Sequence, residues 1–157
     1  MENNRLKIRE ISKVEIPDAI KISRIIFNST DDNDKYHTQS LWEEKLNRDG
    51  ILLGAYLDGV LIGYKFGYRE DSETFHSWMG GVLEEYRGQK VATELLHFQE
   101  KLLQSRGYKY VTVNTVKSKY PNMFNFLLKQ GYIVESTSEQ KELDGSVVTK
   151  SSFKRAL

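Results

Sequence analysis

The chain of 157 residues is 39% hydrophobic and 11% aromatic, enough for one compact domain with its own core, and its two prolines argue against a long linker. Its 23 basic and 22 acidic residues give a net charge of +1, so no overall field attracts nucleic acid or an anionic membrane. The absence of cysteine excludes disulfides, thiolate nucleophiles and Cys-ligated zinc. We expect a single cytoplasmic domain over residues 1–157, with no nucleic-acid or membrane partner.

The first half of the chain predicts a short strand, two helices and a hairpin. A short apolar segment near the N-terminus indicates the strand, and Pro17 stands where a helix can begin, ahead of a run of isoleucines. Ser40 with Glu43 resembles a capping box, which predicts that a second helix starts there. Asp58-Gly59 joins two apolar runs and is the two-residue signal of a tight antiparallel hairpin. The predicted strands after the second helix are 51–57, 60–68 and 74–83.

The second half predicts two further helices and three strands. A helix with an apolar face begins near Val91, and Gly107 stands where its C-terminal cap belongs. The β-branched segment 110–113 predicts a buried strand, reached through that helix by a parallel crossover. Pro121 opens a helix that ends at Gly131, and Asp144-Gly145 joins the last two strands. The apolar face of the earlier helix comprises Val91, Leu95, Phe98 and Leu102. The pattern predicts an α/β fold with a mixed, mostly antiparallel central sheet flanked by helices.

The segment 82–92 runs from an apolar strand through a basic turn into an amphipathic helix. A strand that stops at such a turn leaves the first N–H groups of the next helix unpaired, and with the helix dipole these donors favour a phosphate or pyrophosphate. Arg87 and Lys90 add positive side chains. An Arg-Gly turn alone is commonly an ordinary connection, so the order of the surrounding elements has to support the site.

With its elements in this order, the chain resembles the GNAT superfamily of acyl-CoA-dependent N-acyltransferases over nearly its whole length. The family motif of Arg or Gln, two residues, Gly, one residue, and Gly or Ala is similar to residues 87–92, which Arg87 opens and Ala92 closes. Lys90 departs from the motif because it stands where the family usually has its middle glycine. Gly131-Tyr132 resembles the end of a family helix before a late strand.

The resemblance implies acetyl-CoA as the co-substrate, no metal, and a defined set of contacts. The backbone N–H of Val82 is the expected donor to the thioester carbonyl. Asn122 is expected to reach the cofactor from the late helix, although capping of that helix explains it equally well. The implied cofactor-binding residues are Val82, Arg87, Gly88, Gln89, Lys90, Val91, Ala92, Thr93 and Asn122.

Acetylation of an amine requires a general base, because an alkyl ammonium group has a pKa of roughly 10. Glu84 is the first catalytic candidate, since it lies closest to Val82 in the sequence. Glu85, Glu73 and His76 are the other candidates. The alternative to catalysis is that the glutamates are solvated loop residues and that the histidine, alone in its strand, has a structural role.

The general acid of the family is missing at its usual place. Many members have a tyrosine four residues before the late glycine to protonate the leaving thiolate, and this chain has Leu127 there. A thiol with a pKa of about 8.5 leaves tolerably well as a thiolate, so the reaction is slowed without being forbidden. Tyr120 and Tyr132 are candidate substitutes, and packing roles explain both as well.

Only two features of the sequence bear on the acceptor. An acidic loop follows the first helix, and aromatic residues alternate along one strand, which together favour a cationic amine. A solvated loop and a core-facing strand explain the same residues. They are Asp31, Asp32, Asp34, Tyr64, Phe66 and Tyr68. His37 and His97 lack partners at metal-ligand spacing, so we assign them no chemistry and expect no metal.

The sequence predicts an N-acetyltransferase that moves an acetyl group from acetyl-CoA to a primary amine of a small molecule or peptide. The alternative is a catalytically idle acyl-CoA-binding or regulatory module, motivated by Leu127. A nucleic-acid or protein-interaction domain has only the basic residues near the C-terminus in its favour. Small enzymes of this kind often pair, so a homodimer is a further expectation. The sequence does not specify the acceptor amine.

Overall fold

The computed structural model describes residues 5–31 and 34–157. Three short 3₁₀ turns, Lys13–Glu15, Lys35–His37 and Glu84–Tyr86, lie between the longer elements. In chain order the helices and strands are β1 (Leu6–Glu10), α1 (Ile16–Ile26), α2 (Gln39–Leu46), β2 (Ile51–Leu57), β3 (Val60–Arg69), β4 (Thr74–Val82), α3 (Val91–Ser105), β5 (Tyr110–Val116), α4 (Pro121–Lys129), β6 (Ile133–Lys141) and β7 (Val147–Ala156).

The strands form one seven-stranded sheet in the order β1-β2-β3-β4-β5-β7-β6. Every neighbouring pair is antiparallel except β4 and β5, which are parallel and connected through α3. A parallel pair needs a long crossover, whereas two residues suffice between β2 and β3, where Asp58 and Gly59 both have positive φ. The predicted mixed, mostly antiparallel α/β fold is confirmed.

The sheet separates two hydrophobic cores. On one face α1 and α2 cover a cluster centred on Trp42, Tyr64 and Phe66, all fully buried. On the other face α3 and α4 cover a larger cluster that includes Leu96, Phe75 and Phe153. The two clusters bury large apolar areas against both sides of the central strands, which is the main source of stability in such a layered domain.

Two local expectations are wrong. The second helix begins at Gln39, and its N-cap is Thr38, whose Oγ1 accepts a hydrogen bond from the Leu41 N–H at 3.3 Å. The predicted capping residue Ser40 therefore lies two residues after the true N-cap, inside the first turn of the helix. Phe98 is 38% exposed, because the buried stripe of α3 runs through the neighbouring Leu96 and Gln99 instead.

The parallel pairing of β4 and β5 is short. It extends only from Thr74 opposite Tyr110 to Ser77 opposite Val113. Beyond these four residue pairs β4 continues to Val82 while still paired with β3, and β5 continues beside β7. The register between β3 and β4 shifts at Phe66 and Gly67, a β-bulge that bends the strand. The two parallel strands therefore separate and leave a gap in the middle of the sheet.

Gly67 is required by this bulge, because a Cβ added there would overlap the carbonyl oxygen of His76 and the ring of Phe75. We expect Gly67→Ala to lower the free energy of unfolding by about 3 kcal/mol, which corresponds to about 6 to 12 °C in Tm. Gly145→Ala is the control, since its Cβ would meet open space and only the positive φ is unfavourable, at about 1 kcal/mol. Equal losses in thermal unfolding of the two variants would show that the bulge tolerates a side chain.

Candidate active site

A cavity of about 620 Å³ occupies the gap between β4 and β5. Tyr64 and Lys65 are consecutive residues of β3 and both line it. Successive side chains of a strand point to opposite faces, so the cavity is lined from both sides of the sheet. His37 contributes from the α1–α2 side, and Leu95 and Met123 contribute from α3 and α4. The cavity thus spans the sheet.

The end of β4 directs backbone groups into this gap. The N–H of Leu83 donates to the carbonyl of Ile62 at 2.9 Å, towards β3. Amides alternate in direction along a strand, so the N–H and carbonyl of Val82 point the other way, towards the separated β5. The Val82 carbonyl accepts a hydrogen bond from Arg87 Nε at 3.1 Å, and Val82 lines the cavity. An amide in this position can donate to a carbonyl oxygen held in the cavity.

The N-terminus of α3 follows after a 3₁₀ turn and a loop with two left-handed residues. Gly88 has a φ of 79° and Lys90 a φ of 65°, and Lys90 is the N-cap of the helix without a side-chain cap hydrogen bond. The first amides of this 15-residue helix are therefore available to an anion, with the exposed Arg87 and Lys90 beside them. The left-handed backbone at position 90 explains why glycine suits it in related loops.

The remaining residues of the predicted cofactor set are divided between the loop, the core and the cavity. Gln89 is exposed in the loop, Val91 is buried in the core, and Thr93 is half-buried on the first turn of α3. Ala92 lines the cavity. Asn122 is exposed on the first turn of α4, where the N-cap is Tyr120 without a side-chain cap hydrogen bond.

The candidate general bases are not gathered at the cavity. Glu84 and Glu85 lie exposed on the 3₁₀ turn after β4, and neither is among the described residues that line the cavity. Glu73 lies in the β3–β4 turn, where its carboxylate pairs with Lys109 Nζ at 2.6 Å. Glu84 remains the nearest of the three to Val82 in the chain.

His76 is a poor base at neutral pH. Its Nδ1 lies 2.9 Å from Thr112 Oγ1, and its ring contacts Tyr68 edge-on at 5.5 Å. Burial and, to a lesser extent, the positive charges of Lys150 and Lys45 lower the pKa of His76 to about 4. The imidazole is therefore neutral at pH 7 and packs as part of the sheet.

Sequence reasoning missed two charged side chains on the α3 side of the sheet, Lys65 and Glu100. Burial lowers the pKa of Lys65 to about 8, although the charge of Glu100 opposes this shift. Glu100 accepts a hydrogen bond from the Tyr132 hydroxyl at 2.8 Å and lies 3.4 Å from Arg155 Nε. Tyr132 is thus already committed to Glu100, whereas Tyr120 lines the cavity. Leu127 is 1% exposed and belongs to the core.

A chain of four polar side chains lies on the opposite face, and we call it the polar chain. Asp34 Oδ2 lies 2.8 Å from His37 Nδ1, His37 Nε2 lies 2.6 Å from Ser23 Oγ, and Ser23 Oγ lies 2.6 Å from the Tyr64 hydroxyl. Burial raises the pKa of Asp34, but hydrogen bonds from Ser29, His37 and the Tyr36 N–H lower it overall to about 2. The members of the polar chain are separated by up to 41 positions, so spacing gave no signal for it.

Most residues of the aromatic strand and the acidic loop make contacts within the protein. Tyr64 and Phe66 are fully buried against α1 and α2. Tyr68 holds two of the chain's own cations over its ring, Lys45 Nζ at 4.5 Å and Arg48 Cζ at 4.6 Å. Asp31 and Asp34 line the cavity, and Asp32 lies outside the described residues.

The basic residues near the C-terminus are part of the sheet. Lys154 lies on β7 with its Nζ 4.4 Å from the ring centre of Tyr110 and 3.5 Å from a carboxylate oxygen of Glu135. Arg155 donates to the carbonyl of Gln130.

Across residues 5–31 and 34–157, no group of three or more His, Cys, Asp or Glu side chains is arranged to hold a metal ion. No helix in the same two ranges is long and apolar enough to cross a membrane.

The sequence matches the model of the acetyltransferase (GNAT) family over residues 16–132, about three quarters of the chain. The chain belongs to the GNAT acetyltransferase family. The matched residues extend from α1 through the cavity and the α3 loop to Tyr132, so the GNAT match contains every predicted cofactor residue. No curated protein matches the sequence.

Many solved structures share the GNAT fold at low sequence identity. Ard1 from Thermoplasma volcanium is 17% identical with a TM-score of 0.78, and the match covers 98% of each chain. The putative acetyltransferase yncA from Salmonella typhimurium, solved with its cofactor acetyl-CoA, is 15% identical with a TM-score of 0.77 over 98% of this chain and 95% of that one. PaiA N-acetyltransferase from Thermoplasma acidophilum, in complex with coenzyme A, is 16% identical with a TM-score of 0.69, over 92% and 97%.

The left-handed backbone at Lys90 predicts a stabilising substitution. Lys90→Gly is expected to raise the free energy of unfolding by about 0.5 to 1 kcal/mol. The backbone strain that glycine removes outweighs the entropy that it adds to the unfolded chain. Lys90→Ala removes the same charge but keeps the backbone strain, so its Tm should stay near that of the parent protein. A rise of the same size in both variants, measured by thermal unfolding, would assign the effect to the charge instead.

Lys65 predicts a pH-dependent substitution effect. Folding holds its pKa at about 8, below the ordinary 10.5, so the charged form is disfavoured in the folded state. The destabilisation is full below pH 8 and disappears as the pH rises to 10.5. Lys65→Met should therefore stabilise the protein most at pH 7 and least near pH 10, as measured by urea unfolding. Lys101→Met, at an exposed position of α3, is the control. A gain that is independent of pH would contradict this account of Lys65.

Proposed function

We propose that the protein is an acetyl-CoA-dependent N-acetyltransferase that acetylates a primary amine of a small molecule or peptide. One observation carries the proposal: the uncapped N-terminus of α3 and the inward-facing amide of Val82 lie at the same gap between β4 and β5. The first group suits a pyrophosphate, and the second suits a thioester carbonyl. Membership of the GNAT family supports acyl transfer, and the yncA and PaiA structures hold acetyl-CoA and coenzyme A.

The residues on the α3 side fit the donor substrate. Two residues of the loop, Gly88 and Lys90, have positive φ, which leaves the backbone open to close approach by an anion. Arg87 and Lys90 add charge at the same point. Beyond them, apolar side chains of α3 and α4 line the cavity, namely Leu95, Met123 and Phe126. We assign the pyrophosphate contacts to residues 87–93 and a further contact to Asn122.

The reaction we propose is direct attack of the amine on the thioester. The amine nitrogen forms a bond to the carbonyl carbon, the carbonyl oxygen gains negative charge, and the Val82 N–H stabilises that charge. The C–S bond then breaks, coenzyme A leaves as a thiol or thiolate, and the amine proton passes to a base. Glu84 is a candidate base that works through solvent because of its exposure, and Tyr120 is the candidate acid because it lines the cavity.

The acceptor is proposed to approach from the α1–α2 side. The cavity wall there contains carboxylates and aromatic rings, including Asp31, Asp34, Phe27 and Tyr36. Such a wall attracts a cationic amine by charge and by cation–π contact. The second candidate function, an acyl-CoA-binding module without turnover, is favoured by the buried Leu127 in place of an acid.

The experiment that tests donor binding is a thermal-shift comparison with acetyl-CoA, coenzyme A, ATP and NAD. Acetyl-CoA at about 100 times its Kd should add about 2.7 kcal/mol to the stability, or about 5 to 10 °C in Tm. Arg87→Glu should abolish this shift. Lys101→Glu makes the same charge change on α3 about 15 Å further along the helix and should retain it. Absence of a selective shift in the parent protein would refute the proposed donor.

Turnover separates the two candidate functions. Release of free thiol from acetyl-CoA, followed in the presence of a panel of primary amines, is expected for the acetyltransferase. Selective binding of acetyl-CoA without thiol release above the buffer rate for any amine would support the idle module. Mass spectrometry of the acetylated product identifies the amine.

A further inference from the structure

With the His37 imidazole neutral, the hydrogen bonds of the polar chain run in one direction. The Asp34 carboxylate is ionised at neutral pH and can only accept, so His37 Nδ1 carries the proton between them. A neutral imidazole has one N–H, which leaves His37 Nε2 as the acceptor for the Ser23 hydroxyl. The Ser23 oxygen in turn accepts from the Tyr64 hydroxyl at 2.6 Å. Every proton in the polar chain therefore points towards Asp34.

The Tyr64 end is the one that a ligand can use. Both ring nitrogens of His37 are engaged, Nδ1 by Asp34 and Nε2 by Ser23, so neither offers a lone pair to the cavity. Ser23 is not among the cavity-lining residues that the structure describes. Tyr64 does line the cavity, and its oxygen keeps a lone pair when its proton is donated to Ser23.

We propose that the polar chain is a proton relay that takes a proton from the protonated acceptor amine, so that its nitrogen has a free lone pair for attack on the acyl group. This inference rests on the proposed acetyl transfer and deepens it. The amine proton goes to the Tyr64 oxygen, the Tyr64 proton goes to Ser23, and the Ser23 proton goes to His37 Nε2. Tyr64 and Ser23 each end with one proton, and His37 becomes an imidazolium paired with Asp34.

The surroundings of the polar chain suit such a relay. Burial raises the pKa of the Tyr64 hydroxyl, so the phenol does not ionise by itself and passes a proton on only as it receives one. The Asp34 carboxylate, 2.8 Å from the ring, stabilises the imidazolium that results. The polar chain also lies on the α1–α2 face, where the acceptor is proposed to approach, and not on the α3 side assigned to the donor.

The charged neighbours of His37 are few. Asp34 is in direct contact, and Asp31, Lys65 and Lys150 line the same cavity. The end of α1 presents Phe27 and α2 presents Trp42 to the ring, with ring centres 6.3 Å away in both cases. The other titratable groups on the cavity wall are Tyr36, Tyr64 and Tyr120. Asp34 is therefore the dominant electrostatic partner of His37.

The test is the pH dependence of kcat/KM for acetylation of an alkyl amine by the parent protein, Tyr64→Phe, Ser23→Ala and His37→Gln. Each variant should lose about 100-fold at pH 7, because general-base catalysis is worth on the order of 10² or more. The deficit should shrink to less than about tenfold near pH 10, where about half of an amine with a pKa of roughly 10 is already neutral in solution. The double variant Tyr64→Phe/Ser23→Ala should be no slower than either single one, because the groups act in series.

Trp42→Phe is the matched structural control. Trp42 packs against both His37 and Tyr64, with ring centres 6.3 and 5.6 Å away, but carries none of the relay protons. It should lower Tm and leave the shape of the pH profile unchanged. Deficits in the relay variants that stay constant across pH, or that match the effect of Trp42→Phe, would overturn the relay and indicate a purely structural polar chain.

A measurement on the parent protein keeps the inference falsifiable if the variants do not fold. In mixtures of H₂O and D₂O the rate should fall along a curve, because several protons move together, and a straight line indicating one proton would overturn the relay. The two proposals fail differently. If acetyl-CoA produces no thermal shift and no amine is acetylated, the proposed function and the relay both fall. If the parent protein acetylates amines with ordinary pH dependence in all variants, only the relay falls.

Discussion

The short parallel pairing between β4 and β5 is the constraint on which the rest of the structure depends. Four residue pairs are enough to hold the two halves of the sheet together, and their separation beyond Ser77 and Val113 creates the cavity. A fully paired β4 would bury the Val82 amide in a ladder hydrogen bond, as sheets normally require of backbone groups. The fold therefore leaves backbone polarity unpaired with β5 at one place, next to the helix whose own first amides are uncapped.

The order of elements could be predicted from the sequence because each boundary carries a local signal. The Asp58-Gly59 hairpin, the prolines at the starts of α1 and α4, and the apolar stripe of α3 all depend on neighbours within a few positions. The exact cap of α2 could not be predicted in the same way, since Thr38 and Ser40 are both suitable capping residues. The extension of β5 to Val116 depends on its pairing with β7, a contact distant in sequence.

The candidate site likewise has one part that local sequence signals predict and another that depends on contacts distant in sequence. The loop of residues 87–92 is continuous in the chain, so its positive charge and its place before α3 could be predicted from the sequence. The polar chain joins α1, the α1–α2 loop and β3, and the charge of Glu100 acts on Lys65 only because α3 packs on β3. Residue types alone gave His37 no partner, and burial, which alters its role, is a property of the folded layers. Tertiary packing thus determines which polar groups face the cavity.

The cavity that spans the sheet has a consequence for the order of events in any two-substrate reaction there. Because it is lined from both faces, through Tyr64 on one side and Lys65 on the other, two molecules can occupy it together without passing one another. Neither molecule has to leave before the second one binds, and no side chain has to carry the transferred group as a covalent intermediate. The geometry therefore suits a ternary complex, whose initial-rate plots intersect, in place of the parallel lines of a double-displacement scheme.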